Sequence, residues 1–187
     1  MNNIAEMIVT NRRLCHGDFL MQLDRAAATQ PYAILLREKD LAAAEYRALA
    51  RQALPLCAAH GVPLIAHSFA AVAQGLGVPA LHLPFAAFVA AAQVGQLGAF
   101  AQRGVSIHSP AEARQAEALG ATYLLCGNIF ATASKPGLPP RGLEYLHETC
   151  AAVQLPVFAI GGITEENAAL CVQQGAAGVC RMGHWFG

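Results

Sequence analysis

The hydrophobic residues of this chain follow two alternating patterns. Continuous apolar runs such as residues 123–126 and 157–160 have the length of strands that are buried on both faces. Longer Ala-rich stretches such as residues 41–60 place apolar side chains at helical spacing, with charged side chains on the opposite side. The alternation predicts strands at 7–10, 32–39, 62–67, 80–83, 104–108, 123–129, 157–160 and 178–182, and helices at 19–29, 41–60, 68–76, 85–100, 110–119, 142–152 and 165–174.

Strands that alternate with helices in this way are typical of a parallel sheet with right-handed crossovers. An open doubly wound sheet and a closed barrel both give the pattern, but polar residues at the C-terminal end of nearly every strand favour the barrel. We therefore expect residues 1–187 to form a single (β/α)8 TIM-barrel domain. Only residues 183–187 follow the last strand, so the eighth helix is expected to be short or missing. An apolar flank would then be covered by a partner subunit in a homo-oligomer, or by a longer natural chain.

The composition argues against several classes of function. Hydrophobic residues make up 55% of the chain and charged residues 13%, as expected for a well-buried interior. Twelve basic and twelve acidic residues leave no net charge, so we expect no nucleic-acid partner. The six cysteines contain no CxxC pair, which favours a reducing compartment, and no apolar run is long enough to span a bilayer. A cytoplasmic protein without a membrane partner is expected.

Two loops after predicted strands contain groups that bind anions. After the strand at 123–129, Thr132 and Ser134 provide hydroxyl donors and Lys135 provides an ammonium group. After the strand at 157–160, Gly161 and Gly162 precede a helix start, where free backbone N–H groups bind phosphate. Ordinary turns have a similar composition, but two such strand ends late in a repeating β/α chain are typical of a barrel phosphate site.

Five motifs in sequence order resemble the thiamine phosphate synthase/TenI family over most of the chain. They are residues 36–40 (LREKD), 81–84 (LHLP), 104–113 (GVSIHSPAEA), 127–135 (GNIFATASK) and 159–164 (AIGGIT). The resemblance implies a (β/α)8 barrel of thiamine biosynthesis. For the synthase branch it implies Mg²⁺-dependent joining of a pyrimidine diphosphate to thiazole phosphate, with release of pyrophosphate. For the TenI branch it implies aromatisation of a thiazole carboxylate phosphate by proton transfer.

The resemblance also implies roles for individual residues. Arg37 and Lys39 lie two apart on a predicted strand and would point cationic groups into the site, the alternative being a solvated strand end. The family's diphosphate loop matches Thr132, Ser134 and Lys135. Binding of the thiazole phosphate is matched by the backbone at Gly161, Gly162, Met182 and Gly183.

Two departures from the synthase pattern concern the metal. Synthases have an Asn-Asp pair where this chain has Ala66-His67, and residues 84–87 (PFAA) lack the later acidic residue. Because Mg²⁺ requires oxygen ligands, we expect no cofactor, with Mg²⁺ needed only if the protein is a synthase after all. These departures favour a TenI-like protein that binds thiazole phosphate or thiamine phosphate, with a metal-independent tautomerase activity. The synthase reaction and a non-catalytic binding or regulatory role are the alternatives.

The general base of the TenI branch is also changed. Asn128 stands where its tautomerase histidine is expected, and an amide does not relay a proton at neutral pH. His67 and His108 lie at predicted strand ends, where an imidazole can act instead. His108 has the alternative of bonding to the following helix start, and His82, within an apolar strand, is interpreted as a core histidine. The catalytic candidates are therefore His67, His108 and Asn128.

Overall fold

The computed structural model of the protein describes residues 4–132 and 137–186. Eight parallel strands pair in sequence order, and β8 pairs with β1 to close a barrel. The predicted TIM-barrel fold is thereby confirmed. The strands are β1 (Ala5–Val9), β2 (Ala33–Leu36), β3 (Leu64–His67), β4 (Ala80–Pro84), β5 (Gln102–Ile107), β6 (Tyr123–Gly127), β7 (Val157–Ile160) and β8 (Gly178–Arg181).

Helices lie between the strands and cover the outside of the barrel. No helix in the described part of the chain is both long and apolar enough to cross a membrane. Two short 3-10 helices, Arg12–Leu14 and Gln96–Ala99, lie in the connections after β1 and before β5. The α-helices are α1 (Phe19–Ala28), α2 (Ala43–Ala59), α3 (Ala70–Gly75), α4 (Phe85–Gln93), α5 (Pro110–Ala118), α6 (Gly142–Ala151), α7 (Glu165–Gln173) and α8 (Gly183–Phe186).

Alternate strand residues face the barrel interior and the surrounding helices. Met7 and Val9 of β1 pack inside the barrel with Leu35 of β2. Ile8 and Ile34 alternate along the strands with these interior residues, and they pack outside the barrel against α1 and α2. Since both faces of the strands are buried, the strands appear in the sequence as continuous apolar runs.

Local capping signals fix where the helices begin. The Asp18 side chain accepts a hydrogen bond from the Met21 N–H (2.8 Å) at the start of α1. At the start of α5 the Ser109 hydroxyl accepts from the Glu112 N–H (3.1 Å), and Pro110 is the first helical residue. The helix start predicted at Ser109 and Pro110 is confirmed. The Ser109 hydroxyl replaces one missing intrahelical bond, and Pro110 has no N–H that needs a partner.

Three predicted elements end two or more residues earlier than expected, and one of them is the strand predicted at 123–129, which stops at Gly127. β2 stops at Leu36 and not at residue 39, since the Arg37 N–H donates to Thr10 Oγ1 (3.0 Å) instead of pairing with a strand. The helix predicted at 85–100 ends at Gln93, because Gly95 takes a left-handed conformation (φ +72°) and turns the chain into the 3-10 helix Gln96–Ala99. Glycine adopts this conformation without steric cost.

The eighth helix is present as the single turn α8, in agreement with the expected short last helix. The buried Phe186 ring stacks on Phe19 of α1 at a centroid distance of 5.6 Å. The Trp185 indole N–H donates to the Glu6 carboxylate of β1 (2.8 Å). Part of the flank expected to be bare is therefore covered by the chain itself, and the homo-oligomer stays a prediction.

Candidate active site

A cavity of about 800 Å³ opens at the C-terminal ends of the barrel strands. Interior side chains such as Val9, Leu35 and Leu125 border it from below, and the loops that follow the strands form its rim. Its volume suits a small-molecule site. Active sites of (β/α)8 enzymes lie at this end of the barrel, so this cavity is the candidate active site.

Most of the residues selected from the sequence surround this one cavity. Gly183 begins α8 directly after the cavity residue Met182. Ser134 and Lys135 lie outside the described residues. The selected residues that line the cavity are Arg37, Lys39, His67, His108, Asn128, Thr132, Gly161, Gly162 and Met182.

Arg37 and Lys39 reach the cavity from the turn after β2, and the prediction that they share a strand face was wrong. Between them, Glu38 is 2% exposed and faces the connection after β1. Its carboxylate accepts hydrogen bonds from Thr10 Oγ1 (2.6 Å) and, at both oxygens, from the Arg12 backbone N–H (3.1 Å). Burial raises the pKa of Glu38 and lowers the pKa of Arg37. The anchored Glu38 fixes the turn that carries the two cations.

His67 ends β3 and presents a neutral ring to the cavity. Its Nδ1 lies 2.8 Å from Ser68 Oγ, and its backbone N–H donates to Tyr46 Oη (2.9 Å). Burial, together with the charges of Arg37 and Lys39, lowers the pKa of His67 to about 3. The ring is therefore uncharged at neutral pH. An anion bound beside the two cations would offset their effect and raise this pKa.

His82 of β4 is fully buried, as expected of a core histidine, yet it also borders the cavity. Its Nδ1 lies 3.0 Å from Tyr123 Oη and its Nε2 lies 2.8 Å from Ser106 Oγ. Burial lowers the pKa of His82 well below its usual value. Ser106 was not among the residues selected from the sequence, although it lies two residues after Gly104 on the inward-facing side of β5. Residues two apart on a strand share a face, so this spacing could have indicated that Ser106 faces the barrel interior.

His108 follows β5 at the rim of the cavity and is exposed. Its backbone N–H donates to the Glu112 carboxylate of α5 (2.7 Å). Its carbonyl accepts a hydrogen bond from the Arg141 guanidinium. The alternative role of His108, a bond to the following helix start, is thus made by its backbone N–H, and His108 also lines the cavity.

Asn128 lies just after β6 and is 2% exposed. Its Nδ2 donates to the Pro139 carbonyl (3.4 Å), whereas its Oδ1 has no hydrogen-bond partner among the described residues. An amide donates and accepts hydrogen bonds but does not take up a proton near neutral pH. Asn128 can therefore orient a neighbouring group without acting as a general base.

Two glycines with positive φ shape the loop after β7. A Cβ on Gly161 (φ +102°) would lie 2.8 Å from Asn128 Cβ, and one on Gly162 (φ +65°) would lie 2.3 Å from the Ala131 carbonyl oxygen. Neither position has room for a side chain, so the backbone itself borders the cavity. Helix α7 begins directly after this loop at Glu165, and its start is capped by the Asn167 side chain, which accepts from the Thr164 N–H (2.9 Å).

Arg181 at the end of β8 also borders the cavity, although it was not among the residues selected from the sequence. Its Nε donates to Glu6 of β1 (2.8 Å), and its guanidinium lies 3.8 Å from Glu165 of α7. The hydrogen bond to Glu6 raises the pKa of Arg181. Because this cation is paired on the outer side of the barrel, it braces the strand end that precedes Met182.

The residues around the cavity do not fit a Mg²⁺ ion. In the described ranges, no Asp or Glu lines the cavity and no cluster of three His, Cys, Asp or Glu side chains could hold a metal. At the position where synthases have Asn-Asp, the structure has Ala66 and the His67 ring, which lies near two cations. The Glu38 carboxylate is already bonded to Thr10 and Arg12. This environment favours anions and disfavours a hard cation.

Comparisons with known proteins cover nearly the whole chain. The family model described as thiamine monophosphate synthase matches residues 6–184. The chain is 40% identical over 174 residues to the thiamine-phosphate synthase of Roseiflexus castenholzii (strain DSM 13941 / HLO8), across 92% of this chain and 76% of that protein. It is 32% identical to the putative thiamine-phosphate synthase 2 of Aquifex aeolicus (strain VF5), across 91% of each. A solved thiamine phosphate pyrophosphorylase from Pyrococcus furiosus superposes with a TM-score of 0.80 and 26% identity, across 96% of this chain and 85% of that chain.

Proposed function

The chain belongs to the thiamine monophosphate synthase/TenI family, and from this premise we propose that its cavity binds a phosphorylated thiazole for thiamine biosynthesis. The observation that carries the proposal is the make-up of the cavity. Arg37 and Lys39 contribute positive charge, the loop at Gly161 and Gly162 contributes backbone donors, and no carboxylate of the described residues lines the cavity. A site of this kind suits a small phosphate ester.

We assign the thiazole phosphate to the loop after β7. The glycines leave the backbone uncovered there, so its N–H groups can approach a phosphate directly. Arg37 and Lys39 stand at the end of β2, and β8 and β1 lie between β7 and β2 in the barrel. The two cations therefore serve a second anionic group, which is carried by the same ligand or by a second one.

The first candidate reaction is the joining of a pyrimidine diphosphate to thiazole phosphate, with release of pyrophosphate. The names of the relatives favour it, since they are called thiamine-phosphate synthases, and this differs from the TenI-like activity expected from the sequence. A cavity of about 800 Å³ is within the range for small ligands and cofactors. In this reaction Arg37 and Lys39 would stabilise the negative charge that develops on the departing pyrophosphate.

The second candidate is a metal-independent isomerisation of a thiazole carboxylate phosphate. It is favoured by the misfit between the cavity and Mg²⁺, because a proton transfer needs no metal. Asn128 does not supply the base, which leaves His67 and His108 as the titratable candidates from the sequence. The neutral His67 ring becomes a stronger base when the carboxylate of this substrate offsets the adjacent cations.

One set of assays on the purified protein separates these reactions. Thiamine phosphate formation is measured from pyrimidine diphosphate and thiazole phosphate, with Mg²⁺ and with EDTA, and isomerisation is followed separately on the thiazole carboxylate phosphate. The first candidate predicts thiamine phosphate as the product. Isomerisation without coupling would select the second candidate, and tight binding of thiazole phosphate without either reaction would select the non-catalytic role. Absence of any binding would refute the proposal.

A matched variant tests the metal. The double change Ala66→Asn with His67→Asp restores the amide and the carboxylate that synthases have at this place. If the missing carboxylate is the reason for the misfit, coupling by this variant should become more dependent on Mg²⁺ than coupling by the parent protein. An unchanged dependence on Mg²⁺ would show that this position does not decide metal binding.

A further inference from the structure

We propose that His82 and Tyr123 are positioning residues that fix the Ser106 hydroxyl as a hydrogen-bond donor to the ligand. The ligand must then present an acceptor, such as a ring nitrogen or a carboxylate oxygen, toward β5. The inference rests on the proposed function only for the identity of the ligand, a phosphorylated thiazole or its pyrimidine diphosphate partner.

The three side chains come from adjacent strands and meet above one glycine. Gly104 of β5 is in register with His82 of β4 on one side and with Tyr123 of β6 on the other. A Cβ on Gly104 would lie 2.4 Å from His82 Nδ1 and 2.2 Å from Tyr123 Oη. The absence of a side chain at position 104 is therefore what allows His82 and Tyr123 to form their hydrogen bond.

The network leads from the barrel interior to the cavity. Tyr123 is 5% exposed and does not border the cavity, whereas His82 and Ser106 do. Ser106 lies two residues beyond Gly104 toward the C-terminal end of β5, and its side chain is only partly buried. His82 is fully buried and both of its ring nitrogens are already bonded, so the serine hydroxyl is the group that can contact a ligand.

The number of protons sets the direction of these hydrogen bonds. A neutral imidazole carries one N–H, so one ring nitrogen of His82 donates and the other accepts. Within the described residues, the only hydrogen-bond partner of the Tyr123 hydroxyl is His82 Nδ1. A buried phenol O–H requires an acceptor, and therefore Tyr123 donates to Nδ1. The proton of His82 then lies on Nε2 and is donated to Ser106 Oγ.

This arrangement leaves the proton of Ser106 for the ligand. The Ser106 oxygen accepts from His82 Nε2 at 2.8 Å, so its own O–H cannot point at that nitrogen and is directed elsewhere. The opposite tautomer would turn Ser106 into a donor to His82 and leave the phenol proton without an acceptor. A fixed donor of this kind discriminates against a ligand that presents an N–H at the same place, because two donors would then face each other.

The tautomer of His82 can be measured without any ligand. Long-range ¹H–¹⁵N correlation spectra of protein labelled with ¹⁵N-histidine identify the protonated nitrogen of each ring, and the His82 signals are assigned by their loss in His82→Gln. We expect protonation at Nε2 in the wild type, and partial or complete transfer to Nδ1 in Tyr123→Phe. If His82→Gln does not fold, the response to Tyr123→Phe makes the assignment. Protonation at Nδ1 in the wild type would overturn the proposal.

A double-mutant cycle tests the effect on the ligand. Dissociation constants for thiazole phosphate and for the pyrimidine diphosphate are measured for the wild type, Ser106→Ala, Tyr123→Phe and the double variant. For the ligand that faces β5, each single change should weaken binding by about three- to tenfold. Tyr123→Phe should add nothing in the Ser106→Ala background, since it acts through Ser106. Additive losses would mean that Tyr123 acts only through packing, and unchanged binding of both ligands to Ser106→Ala would refute the contact.

Failure of this inference is distinguishable from failure of the proposed function. A wild type that binds neither ligand would refute the proposed function, and the tautomer measurement would still decide how Ser106 is positioned. A wild type that binds thiazole phosphate but carries the His82 proton on Nδ1 would leave the proposed function intact and overturn the inference.

Discussion

Replacement of Gly162 by Ala tests whether the loop after β7 binds the phosphate. At φ +65° an L-residue is disfavoured, by about 1–2 kcal/mol. In addition, the new Cβ would lie 2.3 Å from the Ala131 carbonyl oxygen and 2.8 Å from Phe130 Cβ. Carbon and oxygen atoms in favourable contact are about 3.3 Å apart, so the loop must move by roughly 1 Å.

The displacement should appear in ligand binding more than in stability. A misplacement of about 1 Å in a positioned site reduces function by up to about 10²-fold. We therefore expect the dissociation constant of thiazole phosphate, measured by calorimetry, to rise by about 10- to 100-fold in Gly162→Ala. Thermal unfolding of the same samples reports the loss of stability, at about 2–4 °C per kcal/mol for a chain of this size.

Gly77→Ala is the matched control, because Gly77 has nearly the same φ (+68°) and nothing within 4 Å of its added Cβ. This variant has the conformational strain without the collision and without contact to the cavity. It should lose about 1–2 kcal/mol of stability and bind thiazole phosphate as the wild type does. Equal binding by Gly162→Ala and Gly77→Ala would show that the phosphate lies elsewhere.

Three further outcomes are expected. Arg37→Met and Lys39→Met should each weaken the binding of inorganic pyrophosphate by about tenfold and reduce its dependence on salt, as measured by titration at two ionic strengths, since each removes a cation from the cavity. If the protein is an isomerase, His67→Gln or His108→Gln should lower the rate by about 10²–10⁴-fold, whereas Asn128→His should raise it; unchanged rates in all three variants would place the base elsewhere. The free energy of unfolding should fall as the pH drops from 6.5 towards 3, because folded His67, with a pKa of about 3, resists the proton that the unfolded chain accepts. Denaturant titrations at several pH values give the slope of the unfolding free energy against pH. This slope should be smaller in His67→Gln than in the wild type, by up to about 1.4 kcal/mol per pH unit. An equal slope in the two proteins would contradict the lowered pKa of His67.

The barrel could be predicted from the sequence because each strand is buried on both faces, and the helix start at Ser109 could be predicted because its capping residues act locally. The end of β2 could not be predicted in this way. It depends on the Thr10 hydroxyl, which accepts a hydrogen bond from the Arg37 N–H and donates one to Glu38. Thr10 and Glu38 are 28 residues apart in the sequence. Arg37 and Lys39 nevertheless border the cavity, since Glu38 between them is held on the side of the β1 connection.

The role of His82 was beyond the reach of sequence patterns for a related reason. A histidine within an apolar strand is correctly interpreted as buried, and the structure confirms its burial. Its contact with Ser106 depends on which residues of β4, β5 and β6 are in register. It depends also on Gly104, whose missing side chain leaves room for the Tyr123 hydroxyl. Strand register across a barrel is a tertiary property, so only the structure joins these three residues into one network.

The charges around the cavity explain why anion binding and proton uptake should favour each other at this site. Arg37 and Lys39 hold the pKa of His67 down in addition to burial, and no described carboxylate in the cavity offsets them. A phosphate group near the two cations supplies the missing negative charge and raises the affinity of His67 for a proton. By linkage, a protonated His67 binds the phosphate more tightly than a neutral one. In place of a carboxylate pair that attracts a metal, this chain thus has a neutral histidine beside two cations, and the ligand itself completes the charge balance of the site.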